Sequence, residues 1–328
     1  MRELIRKADQ LFTVNRSAIE IPKSSNSTHN VSTLPYFDQP MGKRLKIFRF
    51  IISFLPLHAC NAHCHVFGPR TVFPYAGDAS FVPQHDAPKE DLFALNDRLG
   101  LTRCVVVQAS CHGFENRAAA DAVAARPHDY RGVALLPTDV ATAELQRLDA
   151  AGFRGVRFNY MGHLGQAAPV DAVLALARRL QPLGWHLQLH GDPQRLLELA
   201  PVLLHCPVPV VIDHIGRIDA GRGLDDPLFQ GLLRWLGQGQ VWIKVSGMDR
   251  ITRQGPPYRD ALPFARLLVA EFGDRVLWGN DWPHPNHAGP VPDEDQLVAL
   301  IADIAPSPAA RQRLLVDNPQ QLYRFTTP

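Results

Sequence analysis

The chain has 328 residues and a formal net charge of +2 at pH 7, with acidic and basic residues mixed along its length. This distribution gives no broad field that would attract nucleic acid or an anionic membrane, so neither partner is expected. The five cysteines are odd in number and form no CxxC motif. They fit reduced thiols in a cytoplasmic protein better than a disulfide framework or a zinc knuckle.

The first segment, residues 1–44, is predicted to be a flexible extension ahead of a barrel domain over residues 45–328. It is rich in Ser, Asn, Thr and Pro and has no sustained apolar period. The stretch KRLKIFRFIISFLPLHAC, residues 43–60, has the basic start and apolar run of an export signal. That run is too short to cross a bilayer. We therefore favour a lead-in segment that packs on the protein, with an export signal as the alternative.

From residue 60 onward, short apolar runs alternate with longer amphipathic segments such as PVDAVLALARRLQPLG. Runs such as RCVVVQAS are typical of parallel strands covered by helices. Eight strand–helix units predict an α/β fold, a (β/α)₈ TIM-type barrel. A doubly wound open sheet is the alternative, but no strand precedes a GxGxxG motif. The predicted strands span residues 60–66, 103–109, 132–136, 155–159, 185–189, 208–213, 241–245 and 275–279.

The first predicted strand contains the motif NAHCH, residues 61–65. Because side chains two residues apart in a strand point to the same side, we expect Asn61, His63 and His65 to share one face. Two imidazoles at the end of a strand are costly to bury without partners. Taken alone, the motif fits a core position, a metal site or a site that faces a substrate, and the other strand ends decide among these.

Catalytic groups of a (β/α)₈ barrel collect at the carboxyl ends of its strands. Polar residues stand at almost every such end in this sequence, which chance does not readily explain. Lys244 lies within a strand and is expected to be paired structurally, whereas His284 and His287 are expected at the rim. The candidate site residues are His63, His65, Ser110, His112, Arg157, His190, His214, Arg217, Arg250 and Asp281.

Five motifs, NAHCHVFGP, QASCHG, GVRFN, IDHIGR and WGNDWPHPN, occur in this order. Together they resemble the amidohydrolase superfamily, and within it the 2-pyrone-4,6-dicarboxylate lactonase group, over residues 58–326. The resemblance implies a distorted amidohydrolase-like barrel that hydrolyses a cyclic ester. We expect a role in the catabolism of aromatic compounds, with sugar acids as the alternative. The resemblance also implies Asp281 as general acid/base, with His63, His65 and His214 around the reacting carbonyl. It assigns carboxylate binding or ring positioning to Ser110, His112, Arg157, Arg217 and Arg250.

Three positions differ from the lactonase pattern. Phe81 and His190 stand where the pattern has tyrosines, and His163 lies near the place of an arginine. The loss of a hydroxyl or guanidinium group changes which substrate groups a pocket can pair. The sequence therefore predicts a small acidic lactone as substrate without deciding which one.

The residue types suit this chemistry. A carboxylate can take a proton from water and return it to the leaving oxygen, and imidazole N–H groups can stabilise the oxyanion. Arginines pair with carboxylates at two points, although each of Arg157, Arg217 and Arg250 could instead form a salt bridge to a nearby Asp such as Asp213 or Asp249. The same positions could serve a metal-dependent decarboxylase or hydratase, or a barrel that only binds a small acid.

No metal is expected to be required, as the resemblance to the lactonase group also implies. The alternative is a single Zn or Mn ion held by His63, His65 and Asp281, which the presence of His190 favours. A two-metal centre is not expected, because the fourth strand offers Arg157 and no bridging Lys or Glu. A guanidinium group there also repels a single cation. Assembly into a homo-oligomer is an alternative to a monomer that the sequence does not decide.

Overall fold

The computed structural model describes residues 54–77, 79, 81–162, 167–287 and 289–326. The extension predicted over residues 1–44, its boundary with the barrel, and His163 all lie outside these ranges.

Eight parallel strands pair in chain order to form a single sheet. Each predicted strand is present, and the predicted (β/α)₈ barrel of amidohydrolase type is confirmed. The apolar runs form these strands because both faces are covered, one by the barrel interior and the other by helices. The strands are β1 Cys60–Cys64, β2 Arg103–Val107, β3 Tyr130–Ala134, β4 Phe153–Tyr160, β5 His186–Gly191, β6 Val210–Ile212, β7 Val241–Lys244 and β8 Val276–Leu277.

Helices alternate with the strands and bury one apolar stripe against them. In the helix Val170–Leu180, the buried positions Val173, Leu176, Ala177 and Leu180 follow helical spacing. The helices are α1 Lys89–Leu99, α2 Arg117–Ala125, α3 Thr142–Ala150, α4 Val170–Leu180, α5 Pro193–Leu203, α6 Pro227–Leu236, α7 Met248–Ile251, α8 Leu262–Glu271, α9 Glu294–Ala299, α10 Ile301–Ile304, α11 Pro308–Gln312 and α12 Asn318–Tyr323. Within the described residues, none is long and apolar enough to cross a membrane.

The barrel closes through a short last strand. Beyond β8, the backbone N–H of Ala62 donates to the carbonyl of Trp278 at 2.8 Å, and that of Asp281 donates to the carbonyl of His63 at 2.9 Å. Gly279 permits this approach, since a Cβ atom there would lie 2.5 Å from the backbone nitrogen of His63. Closure by a few bonds explains the distorted shape and brings Asp281 beside the histidines of β1.

A β-bulge in β1 changes the predicted orientation of its side chains. The register with β2 shifts between Asn61 and Cys64, so that two residues of β1 lie opposite one residue of β2. Asn61 therefore turns toward the helices, where its Nδ2 donates to Oδ1 of Asn96, while His63 and His65 both approach Asp281. The prediction that Asn61 shares their face is wrong, because the extra residue interrupts the alternation.

The amino-terminal end of the barrel is filled by apolar side chains. The strands contribute small and branched residues, and the C-terminal segment lays Leu322, Tyr323 and Phe325 against them. The ring of Tyr323 lies 5.3 Å from that of His186, the first residue of β5. Packing at this end leaves the carboxyl ends of the strands as the open mouth.

Candidate active site

A cavity of about 70 Å³ lies at the carboxyl ends of the strands. Eight of the ten predicted site residues line it, together with Phe81, Ala109, Pro285 and Asn286. Pro285 and Asn286 were not predicted as site residues from the sequence. Only their position in the loop after β8 could have indicated them. The eight predicted residues are His65, Ser110, Arg157, His190, His214, Arg217, Arg250 and Asp281.

Asp281 lies at the centre of this group and is almost completely buried. Arg250 donates to its Oδ2 through Nε at 3.0 Å and Nη2 at 2.7 Å. Its Oδ1 lies 3.2, 3.5 and 3.8 Å from Nε2 of His65, His63 and His214 respectively. Burial raises the pKa of the Asp281 carboxyl, but Arg250 and the imidazoles outweigh it and hold this pKa well below its ordinary value. The carboxylate is therefore ionised at neutral pH.

Four of the lining residues have left-handed backbone conformations that side chains other than glycine rarely adopt. The φ angles are 64° at Asp281, 50° at His214, 56° at Arg217 and 56° at Asn286. Such conformations are costly, on the order of 1–3 kcal/mol each, and cluster at functional sites. The turns after β6 and β8 thus aim charged or polar side chains into the mouth at the expense of local stability.

In His65 and His214, a contact made by Nδ1 fixes the orientation of the imidazole ring. Nδ1 of His65 lies 2.8 Å from the carbonyl of Val107, and Nδ1 of His214 lies 3.1 Å from Oγ of Ser246. Gly247 leaves room for this arrangement, because a Cβ atom there would lie 2.7 Å from Cβ of His214. Burial lowers the pKa of His214 well below its ordinary value. A neutral, fixed imidazole at this position can donate a hydrogen bond to a bound substrate.

The three arginines differ in what they bind. Nε of Arg157 donates to Oδ2 of Asp213 at 2.8 Å, so the salt bridge foreseen as an alternative is present. Arg250 is held by Asp281. Arg217 has no hydrogen-bond or ion-pair partner within the described part of the chain, although burial is the main influence on its pKa and lowers it. Its guanidinium group is therefore available to an anionic ligand in the cavity.

Comparison with known proteins identifies the family of this barrel. Residues 60–325, most of the chain, match the family model described as amidohydrolase. The chain belongs to the amidohydrolase family. This amidohydrolase is 46% identical to a 2-pyrone-4,6-dicarboxylate hydrolase of Comamonas testosteroni, over 82% of this chain and 91% of that protein. It is 39% identical to a 4-sulfomuconolactone hydrolase of Rhizobium radiobacter, over 83% and 92% of the two chains.

A solved structure from Acinetobacter baumannii is also similar. It is provisionally named a 2-pyrone-4,6-dicarboxylic acid hydrolase and contains bound citric acid. It has a TM-score of 0.72 and 29% identity to this amidohydrolase, and the match covers 82% of this chain and 100% of that chain.

Amidohydrolases often use a metal, and one group of side chains is close enough to hold an ion. Ligand atoms of His63, His214 and Asp281 lie within 4.8 Å of one another; this set contains His214 where the sequence suggested His65. The chemistry of the donors does not fit a cation, however. One carboxylate oxygen of Asp281 is bound by Arg250, and Nδ1 of His63 lies 3.2 Å from the buried ammonium of Lys244. Two positive charges in direct contact with the ligand set disfavour a third.

Two predicted site residues do not line the cavity. His63 is fully buried beneath it, with its Nε2 directed toward Asp281. His112 lies to one side, where its Nδ1 is 3.0 Å from the carbonyl of Pro74 and its ring is 5.0 Å from that of Tyr75. His63 thus reaches a substrate only through Asp281, and His112 contributes to the packing of the loop after β1.

The loop after β8 is held by a residue that the sequence did not indicate. Glu294, the first residue of α9, accepts from Nδ2 of Asn280 at 2.7 Å and lies 2.8 Å from Nε2 of His284. These two contacts lie on either side of Asp281 in the chain. The prediction of His284 as a rim residue is wrong, since its side chain is fully buried by this contact.

Proposed function

We propose that this amidohydrolase opens the ring of a small lactone that carries one or more carboxylate groups, with Asp281 as the general base. The observation that carries the proposal is an ionised, buried Asp281 in the same small cavity as the guanidinium of Arg217, which has no hydrogen-bond or ion-pair partner among the described residues. The names of the relatives, hydrolases of 2-pyrone-4,6-dicarboxylate and 4-sulfomuconolactone, support it, since both names describe acidic lactones. The prediction, made from the sequence, that the protein is a lactone hydrolase is confirmed.

Substrate binding follows from the arginines. Arg217 pairs with a carboxylate of the lactone, and the Nη atoms of Arg157 extend the same anion site while its Nε stays on Asp213. Ser110 and His190 line the cavity and provide further polar contacts. The bound citric acid of the Acinetobacter baumannii structure is consistent with a pocket that accepts several carboxylates.

Hydrolysis then proceeds through Asp281. Its Oδ1 accepts a proton from water, and the resulting hydroxide adds to the carbonyl carbon of the lactone. Nε2 of His214, which lines the cavity, donates a hydrogen bond to the developing oxyanion, a contribution of about 3 kcal/mol for a well-placed donor, whereas His65 donates through Nδ1 to the carbonyl of Val107. The bond between that carbon and the ring oxygen breaks, and Asp281 returns the proton to this oxygen. The sum is one lactone and one water converted to an open-chain hydroxy acid.

The reaction proposed for this site needs no divalent metal, because Arg250 and the imidazoles supply the positive charge and the hydrogen bonds that an ion would otherwise provide. We place the enzyme in the cytoplasm, since all five cysteines are free thiols.

The direct test is incubation with 2-pyrone-4,6-dicarboxylate, 4-sulfomuconolactone and unsubstituted 2-pyrone, followed by mass analysis of the products. We expect a gain of one water on an acidic lactone and little or no turnover of the unsubstituted ring. Loss of carbon dioxide would instead identify a decarboxylase, and binding without any change in mass would identify a barrel that only binds acids.

A further inference from the structure

Lys244, the last residue of β7, is completely buried beneath the cavity. Its Nζ donates to Oε1 of Gln188 at 2.8 Å and to Nδ1 of His63 at 3.2 Å. Burial lowers the pKa of Lys244 to about 8, against the attraction of Asp213, so that an ammonium predominates at neutral pH. Burial of an ammonium group costs desolvation free energy, so its presence here indicates a role other than packing.

The ammonium decides where the proton of His63 lies. An ammonium has three N–H donors and no acceptor, so the nitrogen that faces it must offer a lone pair. Burial, followed by the charge of Lys244, lowers the pKa of His63 to about 3, so the imidazole is neutral and carries a single proton. Because Nδ1 accepts from Lys244, that proton is on Nε2.

The position of Asp213 agrees with this assignment. Its Oδ1 lies 3.3 Å from Nδ1 of His63 and 3.7 Å from Nζ of Lys244, the ammonium that donates to this same nitrogen. If the proton of His63 were on Nδ1, it could donate to this oxygen, in the manner of the carboxylate–histidine pairs that orient metal ligands. Lys244 occupies the nitrogen that such a pair would use.

We infer that Lys244 is a positioning residue that acts on Asp281 through His63. It holds His63 with an N–H on Nε2, 3.5 Å from Oδ1 of Asp281; this contact lacks hydrogen-bond geometry, so the N–H dipole orients the general base by electrostatic attraction. The same tautomer leaves Nε2 without a lone pair, so His63 does not act as a metal ligand. The inference rests on the proposed role of Asp281 as the base.

Two substitutions separate the hydrogen bond from the charge. Lys244→Met and Lys244→Gln both remove the ammonium, but only glutamine keeps an N–H that can donate to His63, because its amide group faces the acceptor Oε1 of Gln188. Each variant and the wild type are labelled with ¹⁵N-histidine, and the signals of His63 are assigned by their loss in His63→Asn. The measurements are the tautomer of His63, kcat and KM, and zinc bound after dialysis against the metal.

We expect the wild type and Lys244→Gln to carry the His63 proton on Nε2, and Lys244→Met to carry it on Nδ1. In Lys244→Met, kcat should fall on the order of 10²-fold with little change in KM, the size of effect that misplacing a reacting group produces. Zinc affinity should rise by about 10-fold or more, since His63 gains Asp213 as a supporting partner. In Lys244→Gln, kcat should fall much less.

A wild-type spectrum with the proton on Nδ1 would overturn the inference, as would full kcat in a Lys244→Met variant whose tautomer has changed. If Lys244→Met fails to fold, the wild-type and Lys244→Gln spectra still decide the tautomer. The absence of lactone turnover in the wild type would refute the proposed function alone, because the spectra and zinc binding do not depend on activity.

Discussion

Arg250 donates two hydrogen bonds to a single oxygen of Asp281, Oδ2, through Nε and Nη2. The other oxygen, Oδ1, is left facing imidazole nitrogens at the cavity wall. The contact of Arg250 with Oδ2 keeps the carboxylate ionised, while Oδ1 stays available to a water molecule. It also aligns the plane of the carboxylate, since a guanidinium is rigid and planar.

Asp281→Asn should abolish most of the activity. The amide cannot accept a proton from water, and general base catalysis is worth about 10²–10⁴-fold in rate. We expect kcat to fall by that factor while the far-UV circular dichroism spectrum stays unchanged. Near-normal kcat in a folded variant would exclude Asp281 as the base.

Arg217→Met should weaken substrate binding more than the chemical step. A hydrogen bond to a charged group contributes about 1.5–3 kcal/mol, which corresponds to a rise in KM of about 10- to 150-fold. Arg222→Gln is the matched control, because Arg222 pairs with Asp226 outside the cavity. Steady-state kinetics on an acidic lactone measures both, and equal KM values in the two variants would contradict the anion site.

Glu294→Gln should lower kcat by about 10-fold or more. Glutamine has one acceptor oxygen for two donors, Asn280 and His284, so the loop that carries Asp281 loses a contact. Asp295→Asn is the control: it removes a charge from the same helical turn but contacts only Arg98 among the described ion pairs. The double variant Asn280→Asp with Glu294→Gln restores matching donors and acceptors. Recovery of kcat in the double variant supports the positioning role, and equal loss in all three variants contradicts it.

Chelation should leave the activity unchanged. The donors around His63 and Asp281 are already bound by Lys244 and Arg250, so we expect no stoichiometric zinc or manganese in the purified protein. Elemental analysis, with kcat measured before and after dialysis against a chelator, checks this. Bound metal whose removal abolishes turnover would make His63, His214 and Asp281 ligands instead.

The sequence was informative where the signal is local. Alternation of apolar runs and amphipathic segments was sufficient to place all eight strands, because a buried parallel sheet requires continuous apolar residues and its covering helices require an apolar stripe. The rule that functional residues follow such strands then selected Asp281, His214 and Arg217, which line the cavity. The five motifs selected the family, which the comparison confirmed.

It was less informative where the outcome depends on one residue of register or on contacts distant in the chain. The bulge in β1 reversed the expected side of Asn61, since alternation cannot reveal an inserted residue. His112 and His284 carry the same side chain as His214, yet they pack beneath loops instead of lining the cavity. Nothing near residue 294 in the sequence distinguished Glu294 from other acidic residues at the start of a helix.

The sequence by itself determined the barrel, the family and the side chains available at the mouth, because each of these follows from the order of residues along one strand and the turn after it. Only the tertiary structure decided which charges meet. Arg157 is paired with Asp213, Arg250 with Asp281, and Lys244 with His63, across 56, 31 and 181 positions of the chain. Because electrostatic and hydrogen-bond energies depend on distances of a few ångströms, these pairings exist only once the strands have closed into a barrel, as does the lack of a partner for Arg217 among the described residues.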